Sequence, residues 1–215
     1  LSREFHVDTN QGRPQVVHRE AIRKAVEHEE IFEKELGGQQ HYAGVKISLS
    51  PLPRGSGVRF TDHCENPNLS EPFLASVREG VEEAATSGPI MGYPVIDVEI
   101  ALLDVRIHDL NSSDTAFRVA AGMAFQKAAA QADPVLLEPV MKTEILVPED
   151  FMGDVIGDLN ARQGKVEEIT NRGPVQVITA KVPLSRMFGY STALRSASQG
   201  RGTFTMQFSH YDSTG

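Results

Sequence analysis

Between Ile107 and Phe117 the chain reads Ile-His-Asp-Leu-Asn-Ser-Ser-Asp-Thr-Ala-Phe, which sets His108, Asp109, Asn111, Ser112 and Ser113 almost side by side. A histidine next to an aspartate is the raw material of a general base and its orienter, as in a small hydrolase. Neighbours in one loop seldom converge on a single proton, and the chain holds no G-x-S-x-G nucleophile elbow, so that chemistry is disfavoured. His63, Cys64 and Glu65 are metal-ligating types, but three consecutive residues cannot easily turn to one ion and no second cluster follows at ligand spacing. Gly153 and Gly157 lack the lysine of a G-x-x-x-x-G-K-S/T phosphate cradle, and no such motif occurs elsewhere. No catalytic residue and no metal ligand is therefore assigned. What remains for His108 is to be presented as a hydrogen-bonding group, or merely to sit solvated in a loop.

The flanking elements favour presentation. A long strand, "YPVIDVEIALLDVRI", leads into the stretch, with Val98, Ile100 and Leu102 on one face and Asp97 and Glu99 on the other. A helix leaves it, from about Ser113 to Gln131. Asn111, Ser112 or Ser113 can cap that helix, and Asp114 sits in its first turn, where a carboxylate favours the positive end. So firm a start holds the preceding loop in place. Earlier, "IFEKEL" and "YAGVKISLSPL" alternate as strands around a "GGQQ" turn, and a helix is expected from Ser70 to about Ser87, ended by Gly88-Pro89. This part, residues 21–139, is α+β: an open sheet with two helices.

Residues 140–212 are more regular. "MKTEILVP" predicts a strand, and "EDFMGDVIGDLNARQG" a helix with Met152, Val155, Ile156 and Leu159 as its apolar stripe. "KVEEIT" and "VQVITAKVPL" flank the turn "NRGP" as a hairpin. A second helix is expected over "SRMFGYSTALRSASQG" with Ser185 as N-cap, then a last strand, "GTFTMQFSHY". The order β-α-β-β-α-β is the ferredoxin-like, split-βαβ plan. Pro139, within "LLEPVM", marks the join between the two units, and residues 1–20 form a leader. Because "LSREFHVDT" already alternates like a strand, the chain is expected to be a piece of a longer one.

Bulk properties exclude several classes. With 215 residues, 40% hydrophobic and 23% charged, the chain is of the ordinary globular kind. It shows no signal peptide and no apolar run of membrane-spanning length, so a cytoplasmic protein is expected. Cys64 is the only cysteine, which rules out an internal disulfide. The net charge of −8 argues against indiscriminate nucleic-acid binding. All of it resides in residues 21–140, for acids and bases balance over 141–215.

"PLPRGSG", "GYPVIDVEI", "HDLNSSDTAF", "DPVLLEP", "PEDFMGDVIGDLNAR", "VPLSRMFGY" and "LRSASQGRG" stand in the order and spacing of bacterial translation elongation factor G, and the chain resembles the C-terminal part of that family over nearly its whole length. The resemblance implies that 1–20 ends domain III, that 21–139 is domain IV, with a ribosomal protein S5 domain 2-like fold, and that 140–212 is domain V, ferredoxin-like. It implies a monomeric, ribosome-binding fragment of a GTPase that drives translocation of tRNA and mRNA. GTP and Mg would belong to an N-terminal domain outside this chain, with no cofactor here and no membrane partner. The domain IV tip, which enters the ribosomal A site on the small subunit, would comprise Gly37, Gly38, Gln39, Gln40, His41 and Tyr42, together with His108, Asp109, Asn111 and Ser112. Small residues and amide or imidazole donors suit close approach to an RNA backbone. Arg162, Arg172 and Arg201 are candidate ribosomal RNA contacts in domain V; a solvated helix end or turn is the plainer reading of each arginine taken singly. Gln40 and His41 depart from the family's Gly-Gly-x-Gly-Gln-Tyr loop, Gln163 departs from its paired arginine, and "FTDHCENPNL" matches poorly. Those departures keep a second reading alive, a paralogue acting in ribosome recycling or another ribosome-bound step.

Overall fold

The structure, a computed structural model, describes residues 4–5 and 17–213, so most of the expected leader and the last two residues lie outside the described residues. Glu4–Phe5 form a short strand, β1, and Arg19–Ala21 a second, β2. One compact unit spans His18–Leu136, and the other takes up the chain from Leu137.

In the first unit, β3 (Val26–Leu36), β4 (Gln39–Pro51), β5 (Val58–Asp62) and β6 (Val98–Arg106) form a four-stranded sheet in the order β3-β4-β6-β5. Only the β5–β6 pair is parallel, as expected when a helix carries the chain across from one strand to the other. That helix, α1 (Glu71–Ala84), is capped by Ser70, whose side chain accepts from Phe73 N. The second helix, α2 (Asp114–Gln131), is capped by Ser113. Ile47, Leu49, Ile100 and Leu102 from the sheet meet Val77, Phe117 and Phe125 from the helices in one core. The helices cross closely: a Cβ added at Gly80 would fall 2.3 Å from the Arg118 carbonyl oxygen.

Two buried carboxylates brace this unit. Glu20, fully buried, accepts hydrogen bonds from the backbone N–H groups of Ile90 (2.7 Å), Met91 (3.1 Å) and Tyr93 (2.8 Å), pinning the segment after α1. Asp97, at φ 58°, accepts from Gly55 N (3.2 Å) and Gly57 N (3.0 Å) and faces Arg54 at 3.6 Å. The "PRGSG" loop thus directs these N–H groups to the protein's own carboxylate.

The chain leaves this unit within β7 (Val135–Pro148), so Pro139, expected at a join, lies inside a strand. It is opposite Tyr211 on the last strand of the sheet in chain order, one residue before the ladder to another neighbour begins at Val140. The second unit continues with α3 (Met152–Ala161), β8 (Lys165–Arg172), β9 (Val175–Pro183), α4 (Tyr190–Ser198) and β10 (Thr203–Asp212). Its strands lie in the order β10-β7-β9-β8, all antiparallel, with β1 added beside β10: the ferredoxin-like plan. Met141, Ile145, Ile178, Leu159, Tyr190 and Leu194 fill the core. The expected cap at Ser185 is not made. Residues Leu184–Arg186 form a short 3-10 turn, the Ser185 hydroxyl donates to Glu138 (2.9 Å), and α4 starts after Gly189 in a left-handed conformation, which glycine adopts without strain.

Candidate functional site

Gly37 to Tyr42 do not form one open loop. The β3–β4 ladder runs from Val26↔Leu49 to Leu36↔Gln39, leaving a turn of two residues. Gly37 and Gly38 have φ of 60° and 80°. Two positive φ values in succession make a type I′ turn, whose twist suits a hairpin and which favours glycine at both places. Gln39, Gln40, His41 and Tyr42 therefore stand in β4, opposite Leu36, Glu35, Lys34 and Glu33. The four-residue "GGQQ" turn is corrected accordingly.

The second segment, from the end of β6 to the start of α2, is tied to β4 beside Tyr42. Tyr42 N donates to Asn111 O (2.9 Å), and the Ser112 hydroxyl donates to Tyr42 O (2.9 Å) while accepting from His108 N (2.9 Å). Ser112 N donates to His108 O (3.0 Å). Ser113 Oγ, which caps α2 by accepting from Ala116 N (3.1 Å), also lies 2.8 Å from His41 Nδ1. His41 is thereby tied to a helix cap from the neighbouring strand. The His108 ring packs 6.0 Å from the Tyr42 ring at 60°, and its Nδ1 accepts from Leu110 N and Asn111 N, each at 3.3 Å.

All ten residues expected at the tip thus fall at one end of this unit, on the β3–β4 turn, the first residues of β4 and the β6–α2 loop. Their roles differ. Ser112 turns its hydroxyl inward to bonds within the fold, whereas Asp109 and the His108 side chain are exposed. Leu110, passed over in the sequence as a plain loop residue, is 85% exposed at the apex. Its neighbours' polarity hides it, since a lone leucine among polar residues carries no periodic signal.

Arg162 is engaged internally. It bonds Asp158 (2.9 Å) through Nε and the carbonyl oxygens of Arg186 (2.6 Å) and Phe188 (3.0 Å) through one terminal nitrogen, and its guanidinium lies 5.1 Å from the Tyr190 ring centroid. Burial, with the Asp158 charge next, pushes the Tyr190 phenol well above its ordinary range, so the ring stays a neutral platform for that cation. Arg172, at the end of β8, and Arg201, just after α4, are exposed. Cys64 is partly buried against the first unit's core, and its N–H donates to Asp62 (2.9 Å). Among the described residues no group of three or more His, Cys, Asp or Glu is placed to hold a metal ion, and no helix is long and apolar enough to cross a membrane.

The arrangement offers hydrogen-bond donors and acceptors at a braced tip, and its serine–histidine contact, Ser113 with His41, belongs to the helix cap. Comparisons with known proteins place the chain in a family. The family model "Elongation factor G, domain IV" matches residues 14–133, and "Elongation factor G C-terminus" matches residues 135–215. The chain is similar to an elongation factor G of Aquifex pyrophilus, 49% identical over 99% of this chain and 30% of that protein. It is also similar to a crystal structure of a Thermus thermophilus protein, with a TM-score of 0.85 and 34% identity, covering 94% of this chain and 30% of that one. The chain spans about 30% of the length of each.

Proposed function

The chain belongs to the elongation factor G family, and from that premise we propose that it is the ribosome-binding C-terminal part of a translational GTPase that moves tRNA and mRNA through the ribosome. Its tip, Gly37 to Tyr42 with His108 to Ser112, enters the ribosomal A site on the small subunit, where it meets RNA. The GTP and Mg site lies in the part of the protein that this chain does not span, the whole protein acts as a cytoplasmic monomer, and its partners are ribosomal RNA, tRNA and mRNA. The observation that carries this reading is the coupling of hairpin and loop: two segments far apart in sequence are joined by at least three hydrogen bonds at one end of a stiff sheet-and-helix unit. A tip braced in that way can transmit force and hold donors in register, which a translocating arm requires and a flexible loop cannot supply.

Single-turnover translocation by the whole protein with GTP is the test, run beside a ribosome-recycling assay. His108→Ala should slow translocation about tenfold or more, the worth of a lost hydrogen bond to a charged or desolvated partner, while ribosome-stimulated GTP hydrolysis stays within about twofold. Equal losses in both would contradict the separation of tip from nucleotide site. Recycling without translocation would establish the paralogue reading instead and make Gln40 and His41 the place where the tip has been respecialised.

A further inference from the structure

Resting on the reading of residues 108–112 as an RNA-facing loop, we propose that His108 works through one fixed tautomer, its Nδ1 consumed in building the loop and its Nε2–H left as a hydrogen-bond donor for an oxygen acceptor on the RNA sugar–phosphate backbone. The tautomer follows from the partners. Leu110 N and Asn111 N both approach Nδ1, at 3.3 Å each. A backbone N–H can only donate, so Nδ1 must present its lone pair, and in a neutral imidazole the single ring hydrogen then sits on Nε2. A proton on Nδ1 would face two other hydrogens and break the turn.

The ring is also held in direction. Its own residue's N–H and carbonyl are both bonded to Ser112, and Ser112 is bonded across to Tyr42, whose ring flanks the imidazole. His108 is exposed, so the far edge of the ring, with Nε2, is accessible to a partner. In effect Nδ1 does what an asparagine or aspartate oxygen does when it accepts from the backbone N–H groups just ahead of it. Histidine adds a donor on the opposite edge of the same rigid ring, which asparagine cannot. The loop geometry and the external contact are therefore two functions of one side chain, separable by substitution. Asparagine keeps an acceptor at the Nδ1 position and loses the outer donor. Glutamine can reach outward with its amide but no longer places an acceptor under Leu110 and Asn111. Alanine loses both.

The tautomer is measured on this 215-residue chain by nitrogen-15 NMR of the His108 imidazole, together with hydrogen exchange of the Leu110 and Asn111 amides. The expected result is an unprotonated Nδ1, a protonated Nε2 and slowed exchange at both amides. That slowed exchange should survive in His108→Asn and disappear in His108→Gln and His108→Ala. In single-turnover translocation by the whole protein, His108→Asn should be as slow as His108→Ala, about tenfold or more below the unsubstituted protein, although its loop is intact. A proton on Nδ1 would overturn the proposal, as would a His108→Asn protein at full speed beside a slow His108→Ala. Should His108→Ala itself translocate normally, the RNA-facing reading fails, and the tautomer measurement, made without ribosomes, keeps that failure separate. Replacing 2′-hydroxyls by hydrogen in the A-site codon and in the tRNA anticodon narrows the acceptor: a slowing that His108→Asn abolishes assigns it to one of those riboses, and its absence excludes them, leaving a phosphate or ribosomal RNA.

Discussion

At Gly44 one hydrogen atom decides how the tip is braced. Arg106, opposite Gly44 across the β4–β6 ladder, lays its stem over that glycine and reaches Glu29 on β3 at 2.8 Å. A Cβ at position 44 would stand 2.7 Å from Arg106 Cβ and 3.0 Å from its Cγ, atoms too near the backbone to swing aside. Overpacking of this kind costs about 1–3 kcal/mol, and the reduced unfolded-state entropy of alanine offsets up to about 1 kcal/mol, so Gly44→Ala should lose about 1–2 kcal/mol in urea unfolding. Combining it with Arg106→Gly, which removes that Cβ together with the stem, should cost less than the two changes summed; a double variant as unstable as the sum of both would place the strain elsewhere. A second residue-level consequence concerns Glu30. Burial acts to raise its carboxyl, but hydrogen bonds from Lys127 (2.8 Å) and His28 (2.9 Å) outweigh burial and hold it below the ordinary glutamate value. A carboxyl lowered in the folded state adds stability above its unfolded value, and that stability is lost as pH falls through the carboxylate range. Glu30→Gln should therefore flatten the fall of the unfolding midpoint on acidification, and curves that stay parallel from neutral to acid pH would show that the pairing contributes nothing. None of this was visible in the sequence. Cross-strand register decides which glycine an arginine crosses and which glutamate a lysine meets, and register is a property of pairing, not of residue order.

Among the elements, helices were predictable wherever a capping side chain and an apolar period coincided. Ser113 caps α2, one of the three candidates Asn111, Ser112 and Ser113, and Ser70, expected only as the start of its helix, caps α1; each supplies an oxygen to an N–H left over in the first turn. The expected cap at Ser185 failed for a physical reason: the chain first makes a 3-10 turn, so the first turn of α4 lies farther on, beyond Gly189. The hairpin was expected in outline, yet the turn was drawn too long, since Gln39 and Gln40 carry no strand signal by composition and are paired only because Gly37-Gly38 closes the ladder so tightly. The two caps differ in load. Ser70→Ala should cost about 1 kcal/mol, the ordinary worth of an N-cap. Ser113→Ala also breaks the contact with His41, adding about 0.5–1.5 kcal/mol for a further hydrogen bond. Unfolding measurements on the two variants should therefore rank Ser113→Ala as the more damaging, and slowed hydrogen exchange at Tyr42 should weaken only there. Equal losses with Tyr42 unaffected would mean that the helix cap and the hairpin are not coupled.

Over the whole molecule, charge and shape pull in different directions. Residues 21–140, which include the tip, carry the full net charge of −8, with Glu27, Glu29, Glu33 and Glu35 along β3. Nonspecific affinity for nucleic acid comes from lysine and arginine displacing counterions, and an acidic unit has little of that to offer. On the proposed function, then, long-range attraction would not bring the tip to RNA, and the tip would act there by short-range hydrogen bonding. A recognisable family was readable from motif order along the whole chain, but this division of labour shows only when the charges are seen on the tip-bearing unit. It makes a direct prediction: the 215-residue chain should show no saturable binding to a fluorescent single-stranded RNA oligomer at physiological salt, with any dissociation constant weaker than about 10⁻⁴ M, the weak end of ordinary nonspecific binding. Fluorescence anisotropy across a salt series measures this. Binding at micromolar concentration that weakens steeply with salt would mean that local basic groups, such as the exposed Arg172 and Arg201, overcome the acidic unit. Weak binding that does not change with salt is what a short-range tip without electrostatic steering should give.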